Sequence, residues 1–97
     1  MLIVLAHVVT KEGKGAEFIA AAQSCIQATR QEEGNISYTL VASTENDCNF
    51  TFVEEWESQD HLNKHVKTEH FAQLGKSLSE LSAAPLVINV YEGNKKN

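Results

Sequence analysis

The segment Ile36–Trp56, ISYTLVASTENDCNFTFVEEW, holds two runs that alternate with a period of two. In the first, Ile36, Tyr38 and Leu40 alternate with Ser37, Thr39 and Val41. In the second, Phe50, Phe52, Glu54 and Trp56 share one face, and Thr51, Val53 and Glu55 share the other. Successive side chains of a strand point to opposite faces, so each run reads as a strand. The intervening STENDCN is made of turn residues, and the whole predicts an antiparallel hairpin.

Upstream of the hairpin, Leu2 to Thr10 is β-rich and apolar on both faces. Ile3, Leu5, His7 and Val9 form one face, and Leu2, Val4, Ala6 and Val8 the other. A strand of this kind is covered on both sides. KEGKG is a turn, after which Phe18, Ala22, Cys25 or Ile26, and Thr29 recur at helical spacing. Gly34 suits the position just past a helix end, which places that end at about Glu33. Downstream, Ser58 and Thr68 suit helix N-caps, with Asp60 in the first turn after Ser58. The first of these helices is short and carries Leu62 and Val66. The second carries Phe71, Leu74, Leu78 and Leu81, and Pro85 closes it. Leu86 to Tyr91 is a last apolar strand.

The order is β-α-β-β-α-β with the second helix broken, an α+β ferredoxin-like pattern with an antiparallel sheet. In that topology the first and third strands are central neighbours, and both helices lie on one face. The chain has no further helix for the other face. A second copy packed sheet to sheet is the expected cover, giving a homodimer. Ninety-seven residues make one domain, expected over residues 1–93 with a polar tail at 94–97.

Composition narrows the function classes. The net charge of −5 excludes a basic nucleic-acid surface, and no apolar run approaches a membrane span. The opening MLIVLAHVVT lacks a basic flank and a small-residue cleavage site, so it reads as a strand and not as a leader. Cys25 and Cys48 have no paired spacing and read as free thiols of a cytoplasmic protein.

Three of the four histidines, His61, His65 and His70, lie between Trp56 and Phe71. His61 and His65 are four apart, a spacing that can hold zinc. They lack the neighbouring Glu of a zinc-protease motif and a third ligand close by, so no metal is expected. Glu57 with His61, and His65 with Glu69, fit exposed pairs one turn apart. His65 also sits at the edge of the Leu62–Val66 stripe, and His70 precedes Phe71, so both are expected at a cleft between helices and sheet. His61 is expected at the surface. His7 is the one polar residue on an apolar strand face, and Glu54 would need a partner if buried. A His7–Glu54 pair is therefore a candidate, either structural or functional. A Trp56 wall with convergent polar groups suits a small-molecule pocket.

The stretch FTFVEEWESQDHLNKHVKTEHF, together with KEGKGAEF and EEGNISYTL, resembles the antibiotic-biosynthesis monooxygenase (ABM) family along nearly the whole chain. Phe50, Glu54, Trp56, His65, His70 and Phe71 carry the likeness, which leans toward small bacterial quinol monooxygenases. The resemblance implies a dimeric α+β barrel. It also implies oxidation of a small quinol or polyphenol by O2, in many relatives without metal, flavin or haem. Its implied catalytic residues are His65 or His70 as base. His7 stands where relatives often carry an acidic or amide side chain, and base function would pass to the His7–Glu54 pair if His65 and His70 proved structural. Trp56, Glu54, Phe52, Tyr38 and Phe71 are the expected substrate contacts. AQLGKSL, residues 72–78, has no histidine where haem-degrading cousins carry their ligand, so no cofactor is expected. The alternatives are an isomerase or lyase of a small phosphorylated carbonyl compound, and a non-catalytic ligand-binding or stress-response module. Arg30 is the only arginine, which leaves a phosphate without an obvious partner.

Overall fold

A computed structural model describes all 97 residues. Four strands, β1 (Leu2–Val9), β2 (Asn35–Ala42), β3 (Asn49–Trp56) and β4 (Val87–Glu92), form one antiparallel sheet in the order β2-β3-β1-β4. Helix α1 (Gly15–Arg30) joins β1 to β2, while α2 (Gln59–His65) and α3 (Glu69–Leu81) lie between β3 and β4. This is the ferredoxin-like arrangement with the second helix in two pieces.

Register decides which side chains meet the helices. Val4 pairs with Glu54 and Ala6 with Phe52, so the even residues of β1 share a face with Phe50, Phe52, Glu54 and Trp56. That face is the core. Leu2, Val4, Ala6 and Val8 are buried there with Phe18, Ala22, Cys25 and Ile26 of α1. Phe18 meets Phe50 and Phe52 with ring centroids 5.1 and 6.0 Å apart. From α3, Leu74, Leu78 and Leu81 complete it, as their spacing predicts.

Both expected N-caps form. The Ser58 side chain accepts from the His61 N–H, and the Thr68 side chain accepts from the Phe71 N–H at 3.2 Å. Helix α1 ends earlier than the position of Gly34 suggests. Gln31 is its cap, and the chain turns through Glu32 and Glu33 to Gly34, which has φ +86°. A β-carbon on Gly34 would sit 2.1 Å from the His61 ring. His61 is thus packed on this turn and is not a plain surface residue. Its Nδ1 lies 2.8 Å from the Ser58 hydroxyl, and its side chain is only 21% exposed. Gly34→Ala combines left-handed strain with that clash, and is expected to cost more than about 1 kcal/mol in a urea titration.

Val66 departs from its expected burial. It caps α2 and is 45% exposed. The face of the sheet opposite the helices bears Val9, Val41, Val87 and Tyr91, all exposed. No helix is long and apolar enough to cross a membrane.

Candidate functional site

Glu32 organises the site. Leaving α1 early places its carboxylate between the two C-terminal helices. Oε2 lies 2.6 Å from His65 Nδ1 and 2.8 Å from His70 Nε2. A carboxylate only accepts, so both ring nitrogens that face it carry their protons. His65 is thereby fixed with Nδ1–H on Glu32 and a lone pair on Nε2.

The His65 ring is 1% exposed and walled by aromatics. Its centroid lies 4.8 Å from Trp56, 5.1 Å from Phe71 and 5.6 Å from Tyr38. Burial pushes its pKa down, the bonds and charge of Glu32 oppose this, and nearby His70 adds to the lowering. Its Nε2 is buried with no hydrogen-bond partner in the protein. Such orphaned atoms are costly and uncommon in folded proteins.

His65 lines a cavity of about 210 Å³ between the sheet and α2 and α3. Twelve of the sixteen lining residues are hydrophobic and none is Lys or Arg, so a phosphate or carboxylate would find no cation there. Drug-sized sites run to roughly 300–1,000 Å³, so this one suits one or two rings. Tyr38, Phe52, Glu54 and Phe71 line it with His65, which brings five of the residues expected from the sequence to one place.

Glu54 is 4% exposed and accepts from Trp56 Nε1–H at 3.0 Å through Oε1. Burial raises its carboxyl to about 7, the Trp56 bond opposes the rise, and the Glu32 charge adds to it. The folded chain therefore keeps a proton that the unfolded chain loses near the ordinary value of 4.5. The stability contributed by this group is full below about pH 4.5 and lost as pH rises to about 7. Glu54→Gln mimics the protonated form. In urea titrations it should match the wild type at pH 4.5 and exceed it at pH 8 by up to the order of 3 kcal/mol. His65 acts in the opposite sense. Its lowered pKa means that stability is lost as pH falls below about 6.5, and the substitution leaves that branch in place.

Four expectations need correction. His70, expected to border the cavity, does not line it and reaches the site only through Glu32. His7 and Glu54 do not pair, because odd and even positions of β1 face opposite ways. His7 is exposed on the sheet face away from the helices, its Nδ1 3.0 Å from the Thr51 hydroxyl. Trp56 is wholly buried and does not line the cavity. It stands behind His65 and holds Glu54. His61 bonds Ser58 and His65 bonds Glu32, so the expected pairings with Glu57 and Glu69 are replaced.

Glu32 was not legible as a site residue. Its signal was an acidic residue at the end of a helix, with a histidine downstream that needed a partner. Glu32, His65 and His70 each offer one ligand atom, all within 4.8 Å of one another. They could hold a cation; His61, which the sequence spacing pairs with His65, is not one of the three. In the bonded arrangement the two imidazole protons occupy that place.

The sequence profile of antibiotic biosynthesis monooxygenases matches residues 1–76. The chain belongs to this family. It is 34% identical over 86 residues to a Bacillus subtilis (strain 168) protein named "Putative monooxygenase YcnE", covering 89% of this chain and 90% of the relative. It is 32% identical over 91 residues to sll1783 of Synechocystis, covering 94% of this chain and only 62% of that longer protein. Among solved structures, a conserved protein from Methanosarcina mazei Go1 superposes with a TM-score of 0.91 at 32% identity. That match covers 96% of this ABM chain and 92% of the other.

Proposed function

We propose that this ABM protein is a cofactor-independent monooxygenase of a small uncharged phenol, of the quinol or polyphenol class, with His65 as general base. The observation that carries this reading is the buried, unpartnered Nε2 of His65 at the wall of an apolar cavity. A neutral imidazole anchored through its other nitrogen is the usual form of a side-chain base. Nε2 takes the phenolic proton. The phenolate passes one electron to O2, and the radical pair joins at the ring carbon para to the oxygen. The peroxide anion so formed recovers the proton from His65, leaving a dienone hydroperoxide, whose loss of water gives a quinone that keeps one of the two oxygen atoms. Phe52, Tyr38 and Phe71 supply aromatic surface for the ring, and the dry walls keep the phenolate from water. The name of the Bacillus relative supports the same class of chemistry.

The test is oxygen uptake and product mass with a panel of naphthols and reduced quinols. Substrate-dependent uptake, with one oxygen atom appearing in the product, is the expected result; no uptake across the panel would sink the reading. The absence of a lining cation speaks against a phosphorylated substrate for an isomerase.

The exposed apolar residues Val9, Val41, Val87 and Tyr91 support the expected sheet-to-sheet homodimer in a cytoplasmic protein. Light scattering at micromolar concentration should give twice the chain mass, and a monomer would refute it.

A further inference from the structure

We propose that Glu54 is the general acid that completes the reaction, protonating the oxygen that leaves the hydroperoxide. This rests on the reading of His65 as base. A dienone hydroperoxide becomes a quinone only when its ring C–H and its O–O bond both break. The C–H electron pair forms the new C=O, the O–O pair departs with the outer oxygen, and that oxygen must leave as water. Hydroxide is a poor leaving group in a cavity walled mainly by hydrocarbon, so the step needs a proton donor as well as a base.

The cavity offers one of each. His65 Nε2 is free to take the C–H proton. Glu54 lines the same cavity, is buried, and has its only side-chain hydrogen bond on Oε1, from Trp56. That leaves Oε2 to carry a proton toward the cavity. Burial, reinforced by the Glu32 charge, keeps the carboxyl protonated to about pH 7. The other polar residues at the wall are poor acids. Gln59 and Asn63 are amides, and burial raises the Tyr38 hydroxyl above its ordinary value. Two carboxyl or imidazole groups pushed apart in this way, one toward a neutral base and the other toward a neutral acid, are the pattern of an acid–base pair.

The balance closes. His65 gains the C–H proton, Glu54 loses one to the departing hydroxyl, and water and quinone are the products. The proton then returns from His65 to Glu54 through the water just formed. Both electron pairs given up by the ring system have gone to O2, one atom of which stays in the quinone and the other in the water. Trp56 acts as a positioning residue, since its N–H fixes which carboxyl oxygen points inward.

The experiment compares wild type, Glu54→Gln and Glu54→Asp on a naphthol and a dihydroxynaphthalene with a free para position. Oxygen uptake, quinone absorbance and peroxide by ferrous-ion oxidation are read together. Glu54→Gln keeps an oxygen for Trp56 but has no acid proton. It should still consume O2, yet yield about 100-fold less quinone or lower, with peroxide appearing in its place. Glu54→Asp, which keeps an acid, should recover part of the quinone. Should the amide variant fail to fold, any peroxide release by Glu54→Asp above the wild-type level supports the assignment, and none overturns it. Quinone without peroxide from folded Glu54→Gln overturns it and leaves His65 as base intact; loss of all oxygen uptake also overturns it, because it places Glu54 at or before the step with O2. A wild type that consumes no O2 removes the base and the acid together.

Discussion

His65→Ala should lower substrate-dependent oxygen uptake by about 100- to 10,000-fold, the usual share of a general base. The reason is geometric: His65 is the one histidine that lines the cavity, and its Nε2 has no partner in the protein. His70 does not line it and spends Nε2 on Glu32. His70→Ala should therefore cost far less, through a looser Glu32. His61→Ala should leave turnover near wild type, because that ring serves Ser58 and Gly34. The measurement is kcat for the three variants on one naphthol. Equal losses at His65 and His61 would remove His65 from its role. The Ala variant also leaves Tyr38, Trp56 and Phe71 around a gap, so thermal unfolding must accompany the rates.

The second large effect belongs to Glu32. Glu32→Gln removes the charge and offers one histidine an amide N–H where both now meet a carboxylate oxygen. His65 then loses the constraint that keeps its proton on Nδ1 and the lone pair on Nε2. In serine proteases, the amide replacement of the carboxylate behind the catalytic histidine costs about 10⁴ in kcat. A fall of about 100-fold or more is expected here at pH 7. The separating readout is the spectrum of the imidazole nitrogens. Nitrogen-15 shifts of His65 should show Nδ1–H alone in the wild type and a mixture of tautomers in the variant. Reduced turnover with an unchanged tautomer would mean that Glu32 acts only on packing.

The hairpin, the helix caps and the broken second helix were readable because each rests on local spacing. Alternation of Tyr38 with Thr39, or the Ser58 and Thr68 caps, needs no knowledge of the rest of the chain. The family likeness fell on the same local segments. His7 shows where such reading stops. With apolar residues on both faces of β1, nothing in the sequence says whether its odd or even positions meet the helices. A one-residue change of register exchanges the faces, and the pairing of Val4 with Glu54 is settled only by the folded sheet. Trp56 misled for a related reason. A large aromatic on the correct face was read as a wall of the pocket, but it lies one layer deeper. Glu32 was hidden by distance, since its partners lie 33 and 38 residues away. An acidic pair before a glycine also reads as solvent-facing by default.

The single oxygen of Glu32 that holds both histidines has a bearing on idle turnover. His65 ends α2 and His70 lies in the first turn of α3, so the atom that orients the His65 ring also ties the two helices together. A shift of one helix against the other therefore misaligns the imidazole at the same instant. On the proposed reading, a chain whose α2–α3 junction has loosened has no aligned imidazole with which to make phenolate, so reduction of O2 is tied to the intact junction.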